Sequence, residues 1–219
     1  RSGPALAPNA PAPLPPAGRI PAAGAKAGAP TAALPCEGDG KGGKRIQAVY
    51  AHKGAGDGLT AAKVATIRAA TVTANEFLRA SAGQVGARRS FRFVTKGCQL
   101  DIADLQSTVP NTDRLLQVTR ASARFSNPDR VYLVFVSPAF ESPAGVAGET
   151  ISYEDDSPSP FSNVNSRSAN VAQIYSWNEI TVAHELGHAL GAVLGNAPAA
   201  TQRGHCWDGG DSYDVGGDI

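Results

Sequence analysis

The 219-residue chain has a mass of 22.5 kDa, 42% hydrophobic and 18% charged residues, and a formal net charge of +1. That length fits one domain of ordinary size, alone or with a tail. The near-neutral balance argues against a protein held to nucleic acid or to a membrane surface by bulk charge. The longest strictly apolar run, residues 131–136, is far short of the ~20 residues that a membrane-crossing helix needs.

Residues 1–35 differ from the rest. Ala, Pro and Gly fill 25 of these 35 positions, and no Asp or Glu occurs. Proline interrupts helices and ladders, and Ala with Gly buries too little surface to offset ordering the chain. The segment reads as a leader or linker without fixed structure, followed by a folded domain over residues 36–219. The chain begins at Arg1 and contains no Met, as expected if a preceding segment had been removed. Of the three cysteines, Cys36 lies just before the first predicted strand and Cys98 just after the second. A Cys36–Cys98 disulfide would suit an exported protein, and three buried thiols are the equal alternative.

The expected elements alternate. Residues 45–50 (RIQAVY) read as a strand after a Gly-rich turn. Residues 59–82 carry apolar side chains at helical spacing, among them Leu59, Ile67, Ala70, Ala74 and Leu78. Residues 91–95 (FRFVT) form a second predicted strand, and residues 112–125 a second helix. The run 131–136 (VYLVFV) is apolar on both faces, as in a central strand covered on both sides. Residues 148–153 suggest a polar edge strand, 155–170 a polar loop and 171–175 a brief strand. The last helix is expected from about Trp177 to Gly191, opened by a Ser176/Glu179 capping box. The resulting class is α/β (α+β): a mixed, largely parallel twisted sheet packed with helices, ending in an irregular C-terminal part.

That helix carries His184-Glu185-Leu186-Gly187-His188, a HExxH pattern. Residues four apart share a helix face, so both imidazoles can reach one ion, and the acid one step round can touch water activated by that ion without being a ligand. With four His and seven Glu in the chain, the pattern arises by chance in about 0.2% of sequences of this composition, so a metal site is preferred over a helix with two satisfied histidines. Catalytic zinc needs a third protein ligand and an open position. Glu185 is the last Glu in the chain, which excludes a downstream Glu as that ligand. The remaining downstream candidates are His205, Asp208, Asp211 and Asp214. His205 is preferred because a neutral imidazole matches the other two ligands, and Asp208 is the runner-up.

The stretch HELGHALGAVLGNAPAATQRGHCWD resembles the active-site region of secreted bacterial zinc metalloproteases of the metzincin type, distantly akin to snapalysin and the reprolysins. CEGDG, RIQAVY, the RFVT strand with its nearby Cys, DRVYLVFV and YEDDSP are similar to the same family, so the resemblance covers most of residues 36–214. It implies a zincin-like catalytic domain, export and peptide-bond hydrolysis. It also implies zinc held by His184, His188 and His205, with Glu185 as general base. The chain departs from the family at its end: Tyr213-Asp214-Val215 is followed by Gly216 rather than by Met and Cys, which leaves Cys206 odd.

The expected function is therefore that of a secreted, extracellular zinc-dependent endopeptidase acting on a peptide or protein substrate. It is expected to be a monomer with no nucleic-acid or membrane partner. The alternative is a non-catalytic secreted zinc-binding module that has lost efficient catalysis. A cell-wall or surface-binding protein tethered by the Pro/Ala tail is a third reading, on composition alone. Gly38 to Lys44 (GDGKGGK) approaches a phosphate-binding loop, but Arg45 stands where Ser or Thr is needed, so a turn is preferred. Calcium at Asp208, Asp211, Asp214 and Asp218, or at Asp155 and Asp156, is weighed against solvated loops. His52 is expected at the surface, and Tyr213 in ordinary packing. The 148–153 strand is a candidate for substrate alignment by strand addition.

Overall fold

The computed structural model of the chain describes residues 34–84, 86–153, 155 and 161–191. The GDGKGGK stretch is a turn: the Asp39 carboxylate accepts from the backbone N–H groups of Lys41 and Gly42, each at 2.8 Å. It delivers the chain into β1 (Arg45–His52), followed by the long helix α1 (Ala61–Gln84). A small hairpin, β2 (Thr95–Lys96) and β3 (Gln99–Leu100), leads to β4 (Ile102–Gln106) and α2 (Thr112–Ala121). Then come β5 (Arg130–Val136), β6 (Gly148–Ile151), β7 (Val171–Ile174) and α3 (Glu179–Ala189).

Five strands form one sheet in the order β4-β1-β5-β7-β6. All neighbours pair in parallel except β6, which runs antiparallel to β7 with Glu149 opposite Gln173. The expected mixed, largely parallel α/β architecture is what the chain adopts. Strand alternation divides the core in two. Ile46, Ala48, Tyr50, Leu133, Phe135 and Ile174 pack with Ile67, Ala70 and Ala74 of α1 and Val182 and Leu186 of α3. Val49, Ala51, Val134 and Val136 pack on the other face with Leu115 and Leu116 of α2. Strand β5 is buried along both faces, as its unbroken apolar run predicts. Leu34, two residues ahead of Cys36, is buried with the first of these clusters.

Cys36 and Cys98 are joined in a disulfide with their Cα atoms 5.0 Å apart. Gly97 and Cys98 both have positive φ, as a two-residue type I′ hairpin turn requires. The bond ties the β2–β3 turn to the segment that precedes β1. Closing a sequence separation of 62 residues stabilises the fold by about 4 kcal/mol in the chain-entropy treatment. Among the described residues no helix is long and apolar enough to cross a membrane.

Several local expectations are corrected. The 91–95 segment makes only a bridge, Phe93 to Ile46, before β2, because β4 takes the rest of that edge of β1. Strand β4 itself was not expected: its residues are mostly half-exposed and weakly alternating, as an edge strand tolerates. The 112–125 helix ends at Ala121, where Ser122 turns extended and caps a separate short 3-10 turn over Ala123–Phe125. The cap of α3 is Asn178, not Ser176. Asn178 is extended and its side chain accepts from the Thr181 N–H at 2.9 Å, while the Ser176 carbonyl accepts from the Asn178 N–H. His52 is not at the surface. It is 3% exposed, with Nδ1 2.8 Å from the Gly54 carbonyl oxygen and Nε2 3.1 Å from Asp104 Oδ2.

Candidate active site

The site is built on α3 and on the edge strand that faces it. Trp177 precedes the helix and fixes its entry. Its ring packs edge-on against Tyr50 and Phe135, and its indole N–H donates to the Val136 carbonyl at 3.0 Å. From Asn178 the helix runs with Val182, Leu186 and Ala189 buried against the sheet. This phase brings His184 and His188 together on a half-buried face. Their Nε2 atoms lie 3.1 Å apart, with ring planes crossing at 79°.

Two imidazole nitrogens bonded to one tetrahedral zinc at about 2.0–2.1 Å stand about 3.3 Å apart. The observed separation fits such an ion with little adjustment. The donor chemistry fits as well, since neutral imidazole is a regular zinc ligand. Among the described residues no group of three His, Cys, Asp or Glu side chains converges. His205 and Asp208, the expected third ligand and its runner-up, lie outside the described residues, as do Asp211, Asp214, Asp218, Tyr213 and Cys206.

Glu185, one step round the helix, is 5% exposed and turned toward β6. Thr150 Oγ1 lies 2.6 Å from Glu185 Oε2 and 3.1 Å from the Glu185 carbonyl oxygen. Gly148, two residues earlier on the same face of β6, has no room for a side chain: a Cβ there would come within 2.7 Å of Glu185 Cγ and Oε1. Burial pushes the Glu185 carboxyl up to about 7; the Thr150 hydroxyl opposes the rise and the neighbouring Glu149 charge adds to it. A carboxyl poised near neutrality beside two imidazoles is suited to giving and taking a proton.

The far end of α3 is held by residues that sequence reasoning passed over. Asn170 Nδ2 donates to the Ala189 carbonyl at 2.7 Å and to Asn165 Oδ1 at 2.8 Å. Asn165 in turn donates to the carbonyls of Tyr153 and Asp155. Gly191 leaves the helix at φ +76°, where a Cβ would meet Asn165 Nδ2 at 2.7 Å and the Asp155 carbonyl oxygen at 2.8 Å. The direction in which the chain leaves the histidines is thus fixed by a buried amide pair. Its only trace in the sequence is an Asn-rich loop. Asp155 belongs to this loop as well: its Oδ2 accepts from the Val164 N–H at 2.7 Å. Asp156 lies outside the described residues.

No curated protein matches the chain. The model of metallo-peptidase family M12 matches residues 47–210, three quarters of the sequence, from the third residue of β1 through the other strands of the sheet, the three helices and the HExxH helix face. The chain belongs to metallo-peptidase family M12 and is a metalloprotease.

Proposed function

We propose that the protein is a secreted zinc-dependent endopeptidase, with residues 36–219 as its catalytic domain and residues 1–35 as a leader or linker. The observation that carries this reading is the pair of Nε2 atoms 3.1 Å apart on α3, with a buried carboxyl on the adjoining residue. His184 and His188 would hold the ion, with His205 as third ligand and Asp208 as runner-up. When bound, zinc polarises the scissile carbonyl and lowers the pKa of the attacking water. Glu185 takes the proton of that water and passes it to the leaving amine.

Strand β6 closes one end of the sheet and has no further strand beside it among the described residues. An extended substrate adds to that edge, its backbone pairing with the strand while its scissile bond lies over the two histidines. The Cys36–Cys98 disulfide supports export, because such bonds persist in oxidising compartments. The enzyme works as a monomer.

Metal analysis tests the reading. Purified protein should hold about one zinc per chain, and a chelator should abolish hydrolysis of casein. Casein cleavage that survives complete metal removal would end the proposal. Zinc stoichiometry decides the third ligand: His205→Ala should lose the metal and Asp208→Ala should keep it.

A further inference from the structure

We propose that Thr150 is a positioning residue for Glu185: its hydroxyl anchors one carboxylate oxygen, so the strand that lines the substrate edge also sets the orientation of the base. The inference rests on the reading of Glu185 as general base and adds the residue that orients it.

Three observations carry it. The Thr150 hydroxyl has two acceptors within reach, Oε2 at 2.6 Å and the backbone carbonyl at 3.1 Å, and both belong to Glu185. Among the described residues, Thr150 is the only side chain that hydrogen-bonds the carboxylate. Gly148 supplies the second constraint. The Glu185 carboxylate occupies space that any side chain at 148 would claim, and a Cβ there would also come within 2.8 Å of the Gln173 carbonyl oxygen, a backbone atom of the neighbouring strand. The carboxylate is therefore seated in a notch, with glycine as its floor and threonine as its latch.

The third observation is where this notch lies. Gly148 and Thr150 share one face of β6, and Glu149 and Ile151 point to the other, where Glu149 Oε2 accepts from the Tyr175 hydroxyl at 3.1 Å. One short strand thus presents one face to the base, and its outer edge pairs with no further strand among the described residues. Oε2 accepts from Thr150 and Oε1 lies against Gly148, so both carboxylate oxygens have a defined seat. A hydrogen bond from a neutral donor to a charged acceptor is strong enough to hold a rotamer against thermal exchange, and its loss is read as a 10- to 100-fold effect, roughly.

The test uses the zinc-loaded full chain with a peptide substrate. Thr150→Val keeps the shape of the side chain and removes the hydroxyl. It should lower kcat about 10- to 100-fold while KM and zinc content stay at wild-type values. Thr150→Ser restores the donor and should keep kcat within about threefold of wild type. A second readout needs no turnover. In the metal-free protein, the 13C resonance of the Glu185 carboxyl carbon, identified by its loss in Glu185→Gln, should shift in Thr150→Val and stay in place in Thr150→Ser. Wild-type kcat in Thr150→Val, equal loss in Thr150→Ser, or an unmoved resonance would each overturn the role. The two levels separate cleanly. A dead Glu185→Gln beside a fully active Thr150→Val removes only the latch, whereas a fully active Glu185→Gln removes the base and the latch with it.

Discussion

Two buried or half-buried acids sit on the side of the sheet covered by α1 and α3, and they are treated in opposite ways. Asp57, just beyond β1, is enclosed by donors: Lys63 Nζ at 2.7 Å, the Ser137 hydroxyl on its other oxygen, and the Tyr50 hydroxyl at 3.2 Å. Burial works to raise its pKa, but the bonds from Lys63, Ser137 and Tyr50 outweigh it and leave the carboxyl below the ordinary range. Glu185 is buried more deeply, has one neutral donor and a like charge nearby, and is raised to about 7. Asp57 is ionised and ties three elements together, whereas Glu185 is kept near the point at which it exchanges a proton. A charge matched by its surroundings serves architecture; a buried charge left unmatched is a candidate for chemistry.

Substituting each acid by its amide should break the comparison in opposite directions. Glu185→Gln is expected to lower kcat about 100- to 10,000-fold, the usual worth of a general base. Zinc content should be unchanged, and the melting temperature should stay near that of wild type, since glutamine keeps the size of the side chain and can still accept from Thr150. Asp57→Asn is expected to do the reverse. Losing a charge that accepts from Lys63, Ser137 and Tyr50 should cost about 1–3 kcal/mol of stability, while kcat of the folded enzyme stays near wild type. Denaturant melts and steady-state kinetics on the two variants check both. A stabilised Asp57→Asn, or a severely destabilised Glu185→Gln, would erase the distinction.

The part of this contrast that could be read from the sequence was the part with short-range periodicity. Residues 184, 185 and 188 are fixed relative to one another by one helical turn, so the HExxH spacing led to the histidine pair. The unbroken run at 131–136 likewise placed β5 at the centre of the sheet. What the sequence hid depends on contacts between distant segments. Thr150 and Glu185 are 35 positions apart and meet only because β6 reverses direction at the sheet edge. Asn165 and Asn170 reach the end of α3 through a loop whose composition suggested only solvent exposure. Strand β4 and the buried environment of His52 were missed for one reason. The half-exposed residues of β4 give too weak an alternation to mark a strand, and the strand read at 45–50 stops two residues short of His52, whereas β1 runs on to it and buries it; in both cases local pattern missed the reach of the sheet.

His52 offers the finest test, because it is a histidine used on the architectural side of the same contrast. Both its ring nitrogens face oxygen acceptors, the Gly54 carbonyl and the Asp104 carboxylate, so both contacts are hydrogen bonds only when the ring carries two protons. Burial opposes that charge, but Asp104, the Gly54 carbonyl and the nearby Asp57 outweigh it and raise the pKa above the ordinary value. Lys63, on α1, is taken up by Asp57 and by the Tyr50 ring against which His52 stacks. A group whose folded pKa exceeds its unfolded pKa contributes stability in full below the unfolded value of about 6.5. That contribution fades as the pH rises through the folded pKa. Asp104 is half-exposed, so solvent screens the pair and the effect is small. Melting temperatures of wild type and His52→Gln, measured in parallel from pH 5.5 to 9, should therefore lie furthest apart at the acid end and converge toward the alkaline end. A gap that widens with pH would mean that His52 is neutral in the folded protein, with one of its two contacts left unmade.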